Sequence, residues 1–311
     1  MTIRLLPEVS FALREGTPVV ALESSVLAQG LPVPSNREAA IRMTTAVRAH
    51  GAIPAITAVA RGVPTVGLDD DELERFLARD GVIKVSARDI PVAVVRESDG
   101  ATTVAAALLL ARQAGVTVFA TGGIGGVHRQ PSFDESADLL ELSRSPMVVV
   151  CAGAKAILDL PATLERLESL GVLVVGYCTD ELPGFFTATT GLRLSARADS
   201  PADIAAIFRA HRALGRESAI LVVQPPPSDA ALPRKVVDSA VSDALERAQR
   251  EGVRGASVTP YLLDAVQRAT GGKSLGANLS LLEANAALAA EIAVALREEY
   301  GVARQDARGG G

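Results

Sequence analysis

The sequence predicts an α/β protein of three layers, α/β/α, with a mostly parallel central sheet. Three observations carry this expectation. Short apolar runs alternate with helical patterns along most of the chain. The runs are continuous, as in VVAL, VTVFA and MVVVC, which is the pattern of strands buried on both faces. No repeat and no linker divides the chain, so residues 1–300 read as a single domain and 301–311 as a flexible C-terminal tail.

Taken in order, Pro18–Leu22 is the first expected strand. Ser35 opens a helix, with Glu38 three positions on to close a capping box and Gly51 to stop it. Ile53–Ala60 and Thr65–Leu68 are apolar enough for strands. Asp69 starts a helix with Leu73, Phe76 and Leu77 on one face, ended by Gly81. Val82–Ser86 is a further short strand. Thr102–Ala114 is a helix apolar on most faces, hence buried, and Val116–Ala120 is a strand that runs into the loop TGGIGGVHR. A second box, Ser132 with Glu135, opens a helix through Leu142. Met147–Cys151 is the next strand, and Gly153 turns into a helix near Ala156. Val172–Tyr177 is a strand. Ser200 and Asp203 start a helix to Ala213, and Ala219–Val223 is a strand stopped by PPP at 225–227. Val236–Glu251, Thr259–Ala269 and Ser274 to about Glu299 are helical.

Composition narrows the function. With 31 basic and 36 acidic residues the net charge is −5, and aromatics are 3% with no Trp. A mildly acidic chain without stacking platforms is a poor nucleic-acid partner. The apolar runs Val104–Ala111 and Met147–Ala152 are too short to span a bilayer, so no membrane partner is expected. No charged head, apolar run and cleavage site precede Glu23. Cys151 and Cys178 cannot staple a chain of this size, and free thiols in a reducing cytoplasm are expected.

In open α/β sheets, ligands sit beyond the carboxyl ends of the strands. The polar residues just past each expected strand are Glu23, Lys84, Thr121 with His128, Lys155, and Thr179–Glu181. Several phosphate and metal motifs fail. TGGIGG departs from G-x-G-x-x-G at His128, and Gly272-Lys273-Ser274 lacks the earlier P-loop glycine, since Gln267 stands there. There is no H-E-x-x-H and no paired C-x-x-C.

Only four of the basic residues are Lys, at 84, 155, 235 and 273. An amine can lose its proton and attack a carbonyl, whereas a guanidinium stays charged. Lys155, in VVVCAGAKAI, is the candidate nucleophile; the alternative is a lysine snorkelling from a helix start. Glu23, in ALESS, is either a desolvated proton donor or a structural carboxylate. TGGIGGVHR is either a backbone nest for phosphate or a plain Gly-rich turn. Asp134 and Asp138, four apart on one expected helix face, suit a hard cation or the acidic first turn of a helix, and spacing favours the latter. Ser136 points off that face and says little by itself. Lys84 binds an anion or pairs with Asp89. Asn278 caps a helix or binds a ligand. Cys151 reads as core, and so does the Leu/Ala pattern of 281–295, unless it is a subunit contact.

These segments resemble the pseudouridine-5′-phosphate glycosidase family, also called indigoidine-A-like. VVALES, GAIPAITAV, KVSARDIP, GATTVAA, VFATGGIGGVHR, FDESADL, VVCAGAKAILDL, GYCTDELPGFF, TPYLL and TGGKSLGANLSLLEANA occur in the family's order over roughly residues 8–298. The resemblance implies an α/β/α homotrimer that reversibly cleaves pseudouridine 5′-phosphate to uracil and ribose 5-phosphate. It carries Lys155 over as nucleophile and Glu23 as proton donor. Lys84, Val104, Thr121, His128, Ser136, Ala137, Asp138 and Asn278 match substrate-lining positions, and Asp134 matches a largely water-coordinated manganese position. The chemistry suits the residues: a C-glycoside leaves on carbon, which the two-carboxylate scheme does not serve, whereas an iminium on a lysine provides an electron sink. A non-catalytic sugar-phosphate-binding protein, or an enzyme for another ribosyl phosphate, remains the alternative. The loop between His128 and Phe133 is shorter than the family leads one to expect, Ser24-Ser25 replaces the usual Ser-Thr after the Glu, and 179–194 carries LPGFFTATTG.

Overall fold

The computed structural model describes residues 2–129, 134–253 and 258–306. Seven parallel strands form the centre of the sheet, and the reason is compositional. β2 (Val19–Leu22), β8 (Val148–Cys151) and β11 (Ile220–Val223) are buried at every position, so both faces must be covered. Across the sheet the parallel order is β3 (Ile53–Ala60), β2, β7 (Val118–Ala120), β8, β11, β9 (Leu173–Tyr177) and β10 (Ala196–Ala198). β4 (Val63–Val66) and β6 (Gly100–Thr102) extend it antiparallel to β3, and β1 (Arg4–Leu5) and β5 (Ile83–Val85) add on beyond them.

Helices cover the sheet. α2 (Ser35–Ala49), α8 (Pro201–Ala213) and the long α11 (Lys273–Asp306) pack together, α11 lying against β2, β7 and β8. α5 (Val104–Gln113) packs on β2, β3 and β4 beside α6 (Ala137–Leu142). α1 (Pro7–Glu15), α3 (Asp70–Ala78), α4 (Ile90–Val95), α7 (Leu160–Ser169), α9 (Arg234–Arg250) and α10 (Val258–Ala269) complete the α/β/α arrangement. One apolar cluster runs from Val9 to Leu296.

Strand order reverses between β2 and β7: the chain steps outward from β2 to β3 on one side and from β7 to β8 on the other. That reversal opens a crevice at the carboxyl ends of both strands. Leu22 lies opposite Ala120, and Ala120 opposite Val150, so Glu23 and Thr121 leave the sheet level with Cys151, the last residue of β8.

Several expected helix starts move. Ser35 is the first residue of α2 and caps nothing; Glu38 pairs instead with Arg42 four residues on, within 2.5 Å. Asp69 forms its box with Glu72, as a residue preceding an acidic first turn should. Ser132 lies outside the described residues. α6 is capped by Ser136, which accepts the Asp138 N–H at 3.2 Å, so Asp134 precedes the helix and shares no helix face with Asp138. No helix forms near Ala156; α7 starts after Asp159, whose carboxylate caps it. Lys155 therefore stands in a loop and does not oppose a helix dipole. α11 continues through Gly301 to Asp306, because extending an anchored helix adds one hydrogen bond for each residue fixed. The rest of the expected tail, 307–311, lies outside the described residues. Lys273–Arg297 is long and apolar enough to cross a bilayer, but 61% of its most apolar stretch is buried inside the protein, so the core accounts for its composition.

Candidate active site

Two lobes of one crevice meet over the β2–β7 reversal. The first, of about 550 Å³, is lined by Val26, Gln29, Gly122, Gly123, Phe185 and Asn278 among others. The second, of about 540 Å³, is lined by Ser86, Thr103, Val104, His128, Ser136 and Asp138 among others. Glu23, Ser25, Lys84 and Lys155 line both.

Glu23 follows the last residue of β2 and is 5% exposed. Ser25 Oγ donates to its Oε2, and Thr121 Oγ1 donates to its Oε1 at 2.5 Å. Both carboxylate oxygens are thus held by hydroxyls that rotate and can donate or accept. The strand end is pinned by a second buried hydroxyl group. Ser24 Oγ donates to the Thr57 carbonyl at 2.7 Å, and Thr57 and Thr102 meet at 2.8 Å. These three residues are fully buried, and they tie β2 to β3 and β6.

Lys155 follows β8 through a turn begun by Gly153, whose φ is +89°. It is half-buried, and among the described residues its amine has no hydrogen-bond or ion-pair partner. Lys84 on β5 keeps open surface toward the crevice. Burial of its amine, and then the charge of Lys155, push it below the ordinary lysine value, while Glu23 and Asp138 pull the other way. It does not pair with Asp89, which accepts the Ser86 N–H and faces Arg88.

The Gly-rich loop is not an open nest. The Gly125 N–H donates to Asp138 Oδ2 at 2.8 Å, Ile124 to the Gly153 carbonyl, Val127 to Thr163 Oγ1 and His128 to the Asp134 carbonyl. Its glycines serve close approach. A Cβ on Gly123 would lie 2.6 Å from the Phe185 ring, and one on Gly125 would lie 2.2 Å from Ser136 Oγ. Asp138 is 5% exposed and also accepts the Ala105 N–H at 2.9 Å, which binds the loop to the first turn of α5.

The crevice brings together Glu23, Lys84, Val104, His128, Ser136, Ala137, Asp138, Lys155 and Asn278 from the sequence expectations. Thr121 reaches it through Glu23. Asp134 does not line either lobe; its carbonyl supports His128. Among the described residues no group of three or more His, Cys, Asp or Glu is placed to hold an ion. Asp134 is a single hard oxygen donor, which fits only a cation that keeps most of its waters.

Sequence reasoning missed Phe185, Gln29 and Asn285. Phe185 stands edge-on to Phe186, with ring centroids 4.6 Å apart, and holds a positive φ of 66°. Gln29 sits on a π-helical turn, Val26–Gly30. Asn285 donates from α11 to the Thr121 carbonyl at 2.8 Å. Only Phe185 carried a signal, lying in the segment 179–194 noted as distinctive.

Comparison with known proteins matches the geometry. The pseudouridine-5′-phosphate glycosidase of Gemmatimonas aurantiaca is 68% identical over 92% of this chain and 94% of its own. That of Herpetosiphon aurantiacus is 52% identical over 94% and 97%. The crystal structure of a prealnumycin C-glycosynthase in complex with ribulose 5-phosphate superposes with a TM-score of 0.90, at 39% identity, over 97% of this chain and 99% of the other. An indigoidine synthase A-like protein from Thermotoga maritima gives a TM-score of 0.87 at 36% identity, over 96% of this chain and 97% of its own. Residues 8–295 match the family model described as indigoidine synthase A like protein, and the chain belongs to that family.

Proposed function

We propose that this protein is a pseudouridine-5′-phosphate glycosidase, cleaving the C-glycosidic bond reversibly to uracil and ribose 5-phosphate. One observation carries the reading: a half-buried lysine, without a partner among the described residues, and a buried glutamate face the junction of two lobes, one largely apolar and one polar. Names of relatives at 68% and 52% identity support the substrate.

In this reading the first lobe takes the uracil, against Gly122, Gly123, Phe185 and Asn278. The second takes the ribose phosphate, with Lys84, His128, Ser136 and the α5 start at Val104 on the phosphate, and Ala137 and Asp138 beside the sugar. Held at both ends, the substrate presents C1′ to Lys155. The Lys155 amine attacks C1′ as the C1′–O4′ bond breaks, and the proton that its nitrogen then loses passes to O4′, which becomes a hydroxyl. Glu23 then protonates uracil C5. The C1′–C5 bond breaks, and the nitrogen lone pair closes a C1′=N iminium. Water hydrolyses it, returning the amine and releasing ribose 5-phosphate. Thr121 and Ser25 orient the Glu23 carboxyl. A manganese ion, carried mainly by water with Asp134 as its protein donor, would supply electrostatic organisation of the phosphate end. We propose with this a cytoplasmic homotrimer; the two unpaired cysteines support a reducing compartment, and sedimentation equilibrium reports the assembly.

The test is uracil release from pseudouridine 5′-phosphate, with and without manganese. Wild-type protein releases uracil, and borohydride with ribose 5-phosphate traps an adduct at Lys155. Lys155→Arg loses both, by on the order of 1000-fold or more in rate, because a guanidinium cannot form the iminium. Activity retained in Lys155→Arg overturns the mechanism, and tight ribose 5-phosphate binding without turnover supports a binding protein instead. The C-glycosynthase likeness favours one further arm, a panel of other ribosyl phosphates.

A further inference from the structure

Besides Asn278 on the crevice wall, α11 carries a buried amide that holds the backbone behind the crevice. Asn285 on α11 is 1% exposed. Its Nδ2 donates to the Thr121 carbonyl at 2.8 Å and, at 3.4 Å, to the Gly122 carbonyl. Its Oδ1 accepts from Gln224 Nε2 at 2.8 Å, and the Gln224 backbone N–H donates to the Cys151 carbonyl at 3.0 Å. With Gln224 donating to the oxygen, the nitrogen of Asn285 must face the loop. Asn285 therefore joins the segments that follow β7 and β11, and Gln224 ties both to the end of β8. The helix leans on the same place, since a Cβ on Gly122 would lie 3.2 Å from Leu281 and Leu282.

Among the described residues, Asn285 is the only group hydrogen-bonded to the Thr121 carbonyl. Its amide fixes the plane of the 121–122 peptide, and that plane aims the Thr121 side chain. Thr121 Oγ1 in turn holds Glu23 Oε1. We infer that Asn285, oriented by Gln224, is a positioning residue for proton transfer by Glu23: it holds Thr121 on the carboxyl and Gly122 on the wall of the base lobe. This rests on the reading in which Glu23 is the acid. The segment leading to Lys155 is held on the same loop by backbone bonds alone, the Ala152 N–H to the Gly122 carbonyl at 2.9 Å and the Lys155 N–H to the Ile124 carbonyl at 3.1 Å, and these do not involve the Asn285 side chain. The inference therefore assigns the side-chain clamp to the proton-transfer step, through Thr121 and Glu23, rather than to attack by the amine.

The experiment uses full-length Asn285→Asp and Gln224→Glu. The first keeps the shape and turns a donor toward two carbonyls into an acceptor. The second removes the donor that orients Asn285. For Asn285→Asp, kcat for uracil release falls on the order of 10- to 100-fold, while KM changes by no more than about twofold. Gln224→Glu gives a smaller fall of the same kind. Borohydride trapping of ribose 5-phosphate at Lys155 stays at the wild-type level in both, and the solvent deuterium isotope effect on kcat rises. A general packing defect would lower trapping along with kcat and leave the isotope effect alone; that result overturns the inference, as does wild-type kcat in folded Asn285→Asp. If Asn285→Asp does not fold, Gln224→Glu decides by the same readouts. Wild-type protein that neither traps ribose 5-phosphate nor releases uracil overturns the parent reading, and this inference with it.

Discussion

The two lobes of the crevice share four residues and are built in opposite ways. The polar lobe is made from residues that begin helical turns: Ser86, Thr103 and Ser136 each occupy a cap position. The apolar lobe is made from backbone and distant chain: Gly122 and Gly123, a π-helical turn, Phe185 at positive φ, and Asn278 on the last helix. A cap is a local decision between one side chain and the next turn, so it precedes tertiary structure. A wall of glycine and phenylalanine exists only once remote segments meet. The difference teaches that a polar lobe built from caps is specified locally in sequence, whereas an apolar lobe of glycine and phenylalanine depends on the whole fold.

Substitutions confined to one lobe sharpen that contrast. The largest effect within a lobe belongs to Gly125→Ala, whose Cβ would meet Ser136 Oγ at 2.2 Å and Asp138 Oδ2 at 2.8 Å. Steady-state kinetics should show KM for the phosphate substrate rising ~100-fold, with little discrimination among bases. Gly123→Ala strikes the other lobe, where its Cβ would lie 2.6 Å from the Phe185 ring and 2.9 Å from the Gly153 carbonyl oxygen. Run in the synthetic direction, it should raise KM for uracil ~10-fold and leave that for ribose 5-phosphate alone. Equal changes in both constants would erase the division of labour.

Lys84 belongs to both lobes, and its test is one of pH. Its amine lies below the ordinary lysine value, so its charge is lost earlier as pH rises. Wild-type KM for the phosphate substrate therefore climbs on the alkaline side. Lys84→Arg, charged throughout, should hold KM flat to higher pH, and a pH–KM profile identical to wild type removes Lys84 from anion binding. The smallest effect lies away from the crevice. Burial, which outweighs the nearby Arg112, pushes the Glu141 carboxyl up. A folded-state value above the unfolded one means the favourable contribution is full below the unfolded value and is lost as pH rises through the folded one. Glu141→Gln should raise Tm by ~2 °C at neutral pH, with the gain vanishing in acid, as thermal melts across pH will report.

Much of the sheet was legible because VVAL, MVVVC and AILVV are unbroken apolar runs, and such runs have one economical home. Glu23 and Lys155 were legible because each follows such a run. The helix starts were less so. Ser35 and Ser132 both precede an acid by three residues, but that spacing also occurs inside a first turn, as at Ser35, and the true cap of α6 is Ser136. The Gly-rich loop pointed to the right place for a different reason: its amides are taken by Asp138 and neighbouring carbonyls, and its lack of side chains makes room for Phe185 and Ser136. Asn285 had no local signal, since a single amide in an Ala-rich helix gains meaning only from Gln224 and Thr121 across the sheet.

Because α11 supplies Asn278 and Asn285 and covers β2, β7 and β8, the part of the sheet beneath the crevice stays uncovered on that face until this helix has left the ribosome. A nascent chain stalled before that helix emerges would expose apolar strands without a working crevice. A truncation that removes α11 should therefore be as damaging as one that removes the strands beneath it.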